Sequence, residues 1–480
     1  MLSTLTVDIG TTSVKLCLFG EDASLLVSAR PATPVVRDEL GQVYDVEALH
    51  RLVREFVGGL PPARRSGIRR IALTGVGESG GLVGPDGALA SPMILWHDHR
   101  GAAHLERLST QQRSRLYRIT GLPVNGNYAL SKVAWALEHA QSVEGVVWLN
   151  VVEHLALVLT GECWAEPSLA SRTMALDVGA GSWSAEACAT LGVDPGVFPA
   201  LRPATSGVPI RSAVADALGL SRDVEVHVAG HDHMVGAIGA GLDRGELLNS
   251  TGTTEGLLLL TGSPWLDDEA EASKLANGRA CAGAEFTLFA SIPTGGSAFA
   301  TLQSMLAIDE ASLTACVESL HRRYLAGEAE LQGTPLVLPR FRGSPPPTKD
   351  GSARGIVAGI GDDTTAEDIV LGCFLGLVLQ YAEVLDLFGT RPERIKVIGP
   401  AARNDLWMQL KADLLGVPLS ASGADEVVSR GAQALASGAS LDWAAHHPVD
   451  VVPDPARHDR LRSWAEHVLP LWRHLQEGPS

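Results

Sequence analysis

At 480 residues, with 45% of them hydrophobic and 19% charged, the chain has a globular composition and is too long for one ordinary core, which predicts two domains. A formal charge of −17 argues against nucleic acid or an anionic membrane as a partner, because both reward clustered Lys and Arg. Cysteines at 17, 163, 188, 281, 316 and 373 form no Cys-x-x-Cys pair and no zinc spacing, and no signal peptide is evident, so reduced thiols in a soluble, cytoplasmic protein are expected.

The chain opens with a predicted hairpin: Leu5, Val7 and Ile9 alternate before Gly10-Thr11-Thr12, and Val14, Leu16 and Leu18 alternate after it. Residues 70–100 read as three short strands broken by Gly-rich turns and Pro85-Asp86-Gly87, and residues 126–163 as mostly helix. A strand over 225–230 runs into the small-residue stretch from His231 to Gly241, which suits a tightly packed helix. Residues 242–249 mark the expected domain boundary, because a second hairpin with Gly252-Thr253-Thr254 at its turn follows at once. The second half then repeats the scheme. It carries a helix-rich insert, a rigid Pro345-Pro346-Pro347 loop, a strand over 394–399, a helix over 404–416 and an amphipathic helix over 453–480. Its longest apolar run, Ile369 to Leu379, is about half the roughly 20 residues of a membrane span.

A turn of Gly and small hydroxyl residues presents backbone N–H groups and hydroxyls in one concavity, which suits phosphate oxygens. Asp8 beside the first turn is placed to hold Mg²⁺, which takes one or two carboxylates and completes its shell with water and phosphates. Two such turns, one per half, would clamp a polyphosphate between them. Asp232 lies between an apolar strand and a small-residue helix, where its carboxylate can face a cleft with little solvent and act as a base. His97-Asp98-His99 and His231-Asp232-His233 also have spacing suited to zinc or iron, which keeps a metal-dependent hydrolase open. That enzyme would need further ligands at strand ends in a barrel repeat, and no such repeat is visible.

Taken in order, the motifs resemble those of the FGGY carbohydrate kinases along nearly the whole chain. "DIGTTSVK" (8–15) is similar to the first phosphate motif, "ILWHDHR" (94–100) to Trp-x-Asp-x-Arg, and "LTGE" with "SLASRTMALD" (159–177) to the middle of the first domain. "AGHDH" (229–233) resembles the motif of the catalytic Asp, "STGTT" (250–254) the second phosphate motif, and "VIGPAARNDLWMQLKADLLGVPL" (397–419) the adenosine segment.

The resemblance implies an α/β fold of two duplicated actin-like (ribonuclease H-like) domains around an ATP cleft. Residues 1–245 would hold the sugar site, first phosphate loop and catalytic Asp, and residues 246–480 the second phosphate loop and adenosine site. It implies ATP-dependent phosphorylation of a hydroxyl of a small sugar or polyol, foremost a ketose or pentulose, with ATP and Mg²⁺. An actin- or Hsp70-like ATPase without a sugar acceptor is the alternative on the same fold, and a homodimer stays open. By the same resemblance Asp232 is the general base and Asp8 and Asp232 are the metal carboxylates. Thr11, Thr12, Lys15, Thr253, Gly296, Pro400, Ala401 and Asn404 bind ATP, while Glu78, Trp96, Asn127 and His233 join Asp232 around the acceptor. Asp98 and Arg100 pair to hold their loop. Three departures stand out. "TGVGESGG" (74–81) lacks the Gln-x-His or Met-His of xylulose kinases and the Arg-Glu of glycerol kinases, Pro400 removes a backbone donor, and Ala300 replaces a common Asn or Gln.

Overall fold

The computed structural model describes residues 2–477; Met1 and the last three residues of the expected terminal helix lie outside them. The first half is built on β1 (Ser3–Ile9), β2 (Val14–Gly20), β3 (Leu25–Ala29), β4 (Ile68–Gly75), β5 (Val208–Pro209) and β6 (Glu225–His231). They form one sheet in the order β5-β6-β4-β1-β2-β3, in which β1, β4 and β6 run parallel and β2 and β3 return antiparallel. The hairpin predicted from alternation is β1–β2, in register from Ser3 opposite Gly20 to Ile9 opposite Val14.

Every residue of β1 is buried, because both faces of the sheet are covered. Leu5, Val7 and Ile9 pack on helices α1 (Val46–Gly59) and α2 (Val151–Thr160), which present Leu49, Val53, Leu155 and Leu159. Helix α3 (Asp232–Gly239) follows β6 directly, so the strand ends where the small residues begin.

The second half repeats the plan with β7 (Glu246–Thr251), β8 (Glu255–Thr261), β9 (Ala276–Arg279), β10 (Phe286–Ile292), β11 (Arg394–Ile398), β12 (Leu419–Ala421) and β13 (Val449–Val451). Its order, β9-β10-β8-β7-β11-β12-β13, matches the first sheet with β9 added at one edge. The other edge differs in chain order: β5 precedes its neighbour β6, whereas β13 follows its neighbour β12. The helices of this half are α4 (Ser297–Leu306), α5 (Glu310–Leu325), α6 (Ala366–Asp386), α7 (Asp405–Leu415), α8 (Val427–Ser437) and α9 (Pro455–Glu477). Helix α6 is long and apolar enough to cross a membrane by length and composition, yet 78% of its most apolar window is buried against the surrounding core.

Helices α3 and α8 join the halves. A Cβ on Gly239 would lie 2.1 Å from the Val427 carbonyl, and one on Gly431 2.1 Å from the Val235 carbonyl. The two backbones touch there, and only glycine permits it. Helix α8 also lies against β1 and β4 of the first sheet, so the C-terminal half reaches the strand that carries Asp8.

Some expectations are corrected. Residues 70–100 give two strands, β4 and Gly81–Val83, not three. Beyond the Pro85-Asp86-Gly87 turn, Leu89 and Ile94 make only isolated bridges, since Pro92 between them has no N–H to extend a ladder. The helical stretch 126–163 is split by a strand, Val147–Leu149, that pairs with Gly81–Val83. Strand β7 starts at Glu246, within the stretch 242–249 read as the domain boundary.

Candidate active site

The turns of the two hairpins carry Thr11, Thr12 and Thr253 exposed. Beneath the first, Asp8 and Lys15 are cross-strand partners, with Lys15 Nζ 2.8 Å from Asp8 Oδ2. Asp8 is 2% exposed, and its other oxygen, Oδ1, is buried without a hydrogen-bond partner. Asp8 raises the Lys15 pKa to about 12 despite burial, so the ammonium stays charged at any working pH. Lys15, expected at the phosphates, is held in this pair. It also comes within 3.8 Å of Glu426, the residue that starts α8. Glu426 takes a left-handed backbone (φ +59°), and burial raises its carboxyl. Trp96 donates from Nε1 to Thr11 Oγ1 at 2.9 Å, which ties the expected sugar-stacking residue to the phosphate hairpin.

Asp232 is the first residue of α3 and accepts from the His233 N–H at 2.7 Å through Oδ1. Burial is the largest influence on its carboxyl and lifts the pKa to about 6; His231 opposes this, while Asp8 and Glu78 add to it. His231 Nε2 stands 3.6 Å from Asp232 and 3.8 Å from Glu78 Oε2, linking the two carboxylates. Glu78 is not a solvated loop residue. Its Oε1 accepts from Arg172 Nε at 3.0 Å and lies 2.9 Å from Nη2. Burial alone would raise the Glu78 carboxyl, but Arg172 and His231 outweigh it and hold it well below the usual carboxylate range. Burial brings His233 down to about 4, so its ring is neutral at pH 7. That ring packs 4.7 Å from Phe289 of β10, a side chain from the other half.

Asn127 Oδ1 accepts from His99 Nε2 at 2.7 Å, and the buried Lys132 donates to the Gly126 carbonyl at 3.0 Å and to that of Asn127. Asp98 and Arg100 pair at 2.7 Å as expected, with Asp38 as a further partner at 2.9 Å. Among the described residues no three His, Cys, Asp or Glu side chains gather in a metal-binding group.

Thr253, Gly296, Pro400, Ala401 and Asn404 all line one cavity of about 790 Å³ between the second hairpin and α7. Asn404 also caps α7 by accepting from the Trp407 N–H at 2.9 Å, so its side chain serves the helix start as well. The opposite wall, Phe299 of α4 with Thr314, Glu318 and His321 of α5, was missed. The last three sit at helical spacing on the polar face of an amphipathic helix. Arg172 was missed although it lies within the quoted "SLASRTMALD", and Phe289 was missed because alternation alone marks it as core.

Residues 3–239 match the N-terminal domain of the FGGY family of carbohydrate kinases, and residues 247–440 match its C-terminal domain. A glycerol kinase of Gloeobacter violaceus is 26% identical over 98% of this chain and 94% of its own length. A glycerol kinase of Bordetella parapertussis is 31% identical over 78% of this chain and 77% of its own. A ligand-bound xylulose kinase structure from Lactobacillus acidophilus superposes with a TM-score of 0.86 at 18% identity, covering 99% of this chain and 98% of that one, and shows the fold. With both domains matched in order, the chain belongs to the FGGY family of carbohydrate kinases.

Proposed function

We propose that this kinase transfers the γ-phosphoryl group of ATP to a hydroxyl of a small polyhydroxylated acceptor, with Asp232 as general base. The observation that carries the reading is the placement of Asp232. It starts α3, is linked through His231 to the Glu78–Arg172 pair, and has a pKa of about 6. Phosphoryl transfer asks the protein mainly for positioning and charge stabilisation. The acceptor hydroxyl hydrogen-bonds to the Asp232 carboxylate, which takes the proton as the new P–O bond forms. A carboxyl with a pKa of about 6 is mostly ionised at pH 7 and more basic than an ordinary Asp.

Thr11, Thr12 and Thr253 at the two turns hold phosphate oxygens, and the 790 Å³ cavity takes the adenosine. The residues fit Mg²⁺: Asp8 offers a buried carboxylate oxygen with no partner, and its charge is among those that raise the Asp232 carboxyl, which puts the two acids near each other. When bound, Mg²⁺ supplies positive charge to the β- and γ-phosphate oxygens. Glu78 and His233 face the acceptor, Trp96 and Asn127 shape the loops beside it, and closure of the halves keeps ATP from water.

The test uses purified protein, Mg²⁺ and ATP with a panel of ketoses, aldoses, polyols and polyhydroxy acids, followed by ADP release. ADP formed only with an acceptor supports the reading. ADP at the same rate without one supports an actin- or Hsp70-like ATPase instead.

A further inference from the structure

Strand β6 is irregular just before it delivers Asp232. Val228 faces Leu73 of β4 and Gly230 faces Thr74, so Ala229 is an extra residue, a bulge that turns the strand end, and Gly230 takes φ +123°. Two side chains fasten the turned segment. Thr74 Oγ1 donates to the Gly230 carbonyl at 2.8 Å, and the His231 N–H donates to Ser168 Oγ at 2.9 Å. A Cβ on Gly230 would lie 2.4 Å from Ser168 Oγ and 2.7 Å from Cys281 Sγ, so only glycine lets this hydroxyl come so close.

Ser168 is fully buried in a one-turn helix, Pro167–Ala170. Its single O–H donates to Glu166 Oε2, which leaves the oxygen lone pairs for the His231 N–H and for the Cys281 thiol, 3.4 Å away. Glu166 is itself fixed. Its Oε2 also accepts from the Ser168 N–H at 2.8 Å and the Leu169 N–H at 3.0 Å, and its own N–H donates to Glu153 Oε1 at 3.2 Å. Burial, first among the influences on Glu166, lifts its carboxyl to about 8, so this anchor is mostly neutral at pH 7 and puts little charge behind the base. Capping the short helix needs only the two backbone donors. The hydroxyl contact is additional, and it ends one residue from Asp232.

We propose that Ser168, anchored by Glu166, is a positioning residue: by holding the His231 N–H it fixes the direction in which the Asp232 carboxylate leaves the strand end. The inference rests on the kinase reading above and concerns how its base is aimed. A general base works within about 2.6–3.2 Å of the hydroxyl it deprotonates, and a misplacement of about 1 Å can cost about 10²-fold in rate. Asp232 is the first residue of α3, so releasing His231 frees the carboxylate to move with the helix start.

The test compares Ser168→Thr with Ser168→Val, which share an outline and differ in the hydroxyl. ADP release is followed with ATP, Mg²⁺ and whichever acceptor of the panel above turns over fastest. The Thr variant should exceed the Val variant in kcat by about 10–100-fold, with KM for ATP alike within about twofold. In an Asp232→Asn background the same pair should differ by less than about twofold, because no base is left to aim. Single turnovers at high enzyme concentration read these slow rates. Equal kcat for Thr and Val, or the same ratio with and without the Asp232 carboxylate, overturns the proposal and leaves the kinase reading intact; the second result would make Ser168 a support of the fold alone. Turnover near wild type in Asp232→Asn by itself overturns the base, and this proposal with it. Should both bulkier side chains prevent folding, Ser168→Ala against the wild type is read by the same two ratios.

Discussion

The two hairpins occupy the same place in two duplicated sheets, yet they handle charge in opposite ways. At one ladder position the first hairpin pairs Asp8 with Lys15, and the second pairs Ser250 with Gly256. The first therefore carries a carboxylate with a free oxygen and an ammonium that reaches across to Glu426. In the second, the missing side chain at 256 is what admits its neighbours, since a Cβ there would lie 2.9 Å from the Phe289 ring and 3.0 Å from His233. The second hairpin has charges too, but they are sealed below the turn. Lys411 Nζ lies 2.8 Å from Asn249 Oδ1 and 3.0 Å from Glu255 Oε2, fully buried, with the Tyr381 ring 4.1 Å away. On the proposed reading, one motif supports a reactive edge in the first half and a rigid support for the nucleotide cavity in the second.

If that division holds, substitutions in the first half should strike turnover and those in the second should strike stability. The largest effect is expected at Asp232. Asp232→Asn should cut kcat by about 10²–10⁴ while ATP still binds, because the base is lost and the cavity on the other half is untouched. Turnover near wild type, measured by ADP release, would remove Asp232 from its role.

Next is Lys411. Lys411→Met strands the buried Glu255 carboxylate and should destabilise the fold by about 3–5 kcal/mol in denaturant unfolding. Lys15→Met removes the charged partner of Asp8 in the first half, and because its ammonium is partly exposed it should cost less stability than Lys411→Met while lowering turnover. Equal stability losses in the two variants would break the comparison.

The features that were readable from sequence share one property: their signal is local. Alternation around Gly10 and Gly252, the strand before Asp232 and the helix after Asn404 were all legible because each element's own residues dictate it. What stayed hidden depends on chain segments meeting from afar. Glu78 was named only through the family resemblance, and its partner Arg172, 94 residues away, was not named at all. Phe289 reaches the acceptor region from the other half, and nothing in the alternation of Phe286 to Ile292 separates it from ordinary core. Glu426 belongs to the same class, since its charge matters only after α8 has packed on β1.

A smaller effect is expected from pH. With its pKa lifted to about 6, Asp232 is ionised and active above that value and protonated below it. Turnover should therefore be nearly flat from pH 7 to 8 and fall about tenfold between pH 7 and 5, as one protonation dictates. His233, brought down to about 4, stays neutral across that window and adds no second step. A profile still flat at pH 5 would mean that the base titrates as an ordinary, solvated Asp, and the reactive edge would lose its defining feature.

The smallest effect tests whether the halves communicate through Glu426. Its carboxylate stands 3.8 Å from Lys15 with the side chain 16% exposed, so the pair is loose and its coupling should be at most about 1 kcal/mol. Glu426→Gln keeps the shape and removes the charge, and should raise KM for ATP by no more than about fivefold with kcat little changed. Added salt should weaken the wild-type contact and shrink the difference between the two proteins, because screening acts on exposed pairs. Glu426→Gly separates charge from backbone. Glycine adopts φ +59° without the penalty that Glu bears, so this variant should match or exceed wild-type thermal stability and still show the KM rise. If Gly restores the wild-type KM, the left-handed turn alone positions α8 and the charge across the cleft has no part in holding Lys15. If Gln and Gly both raise KM alike, the reactive edge of the first half is tuned by a single carboxylate from the second.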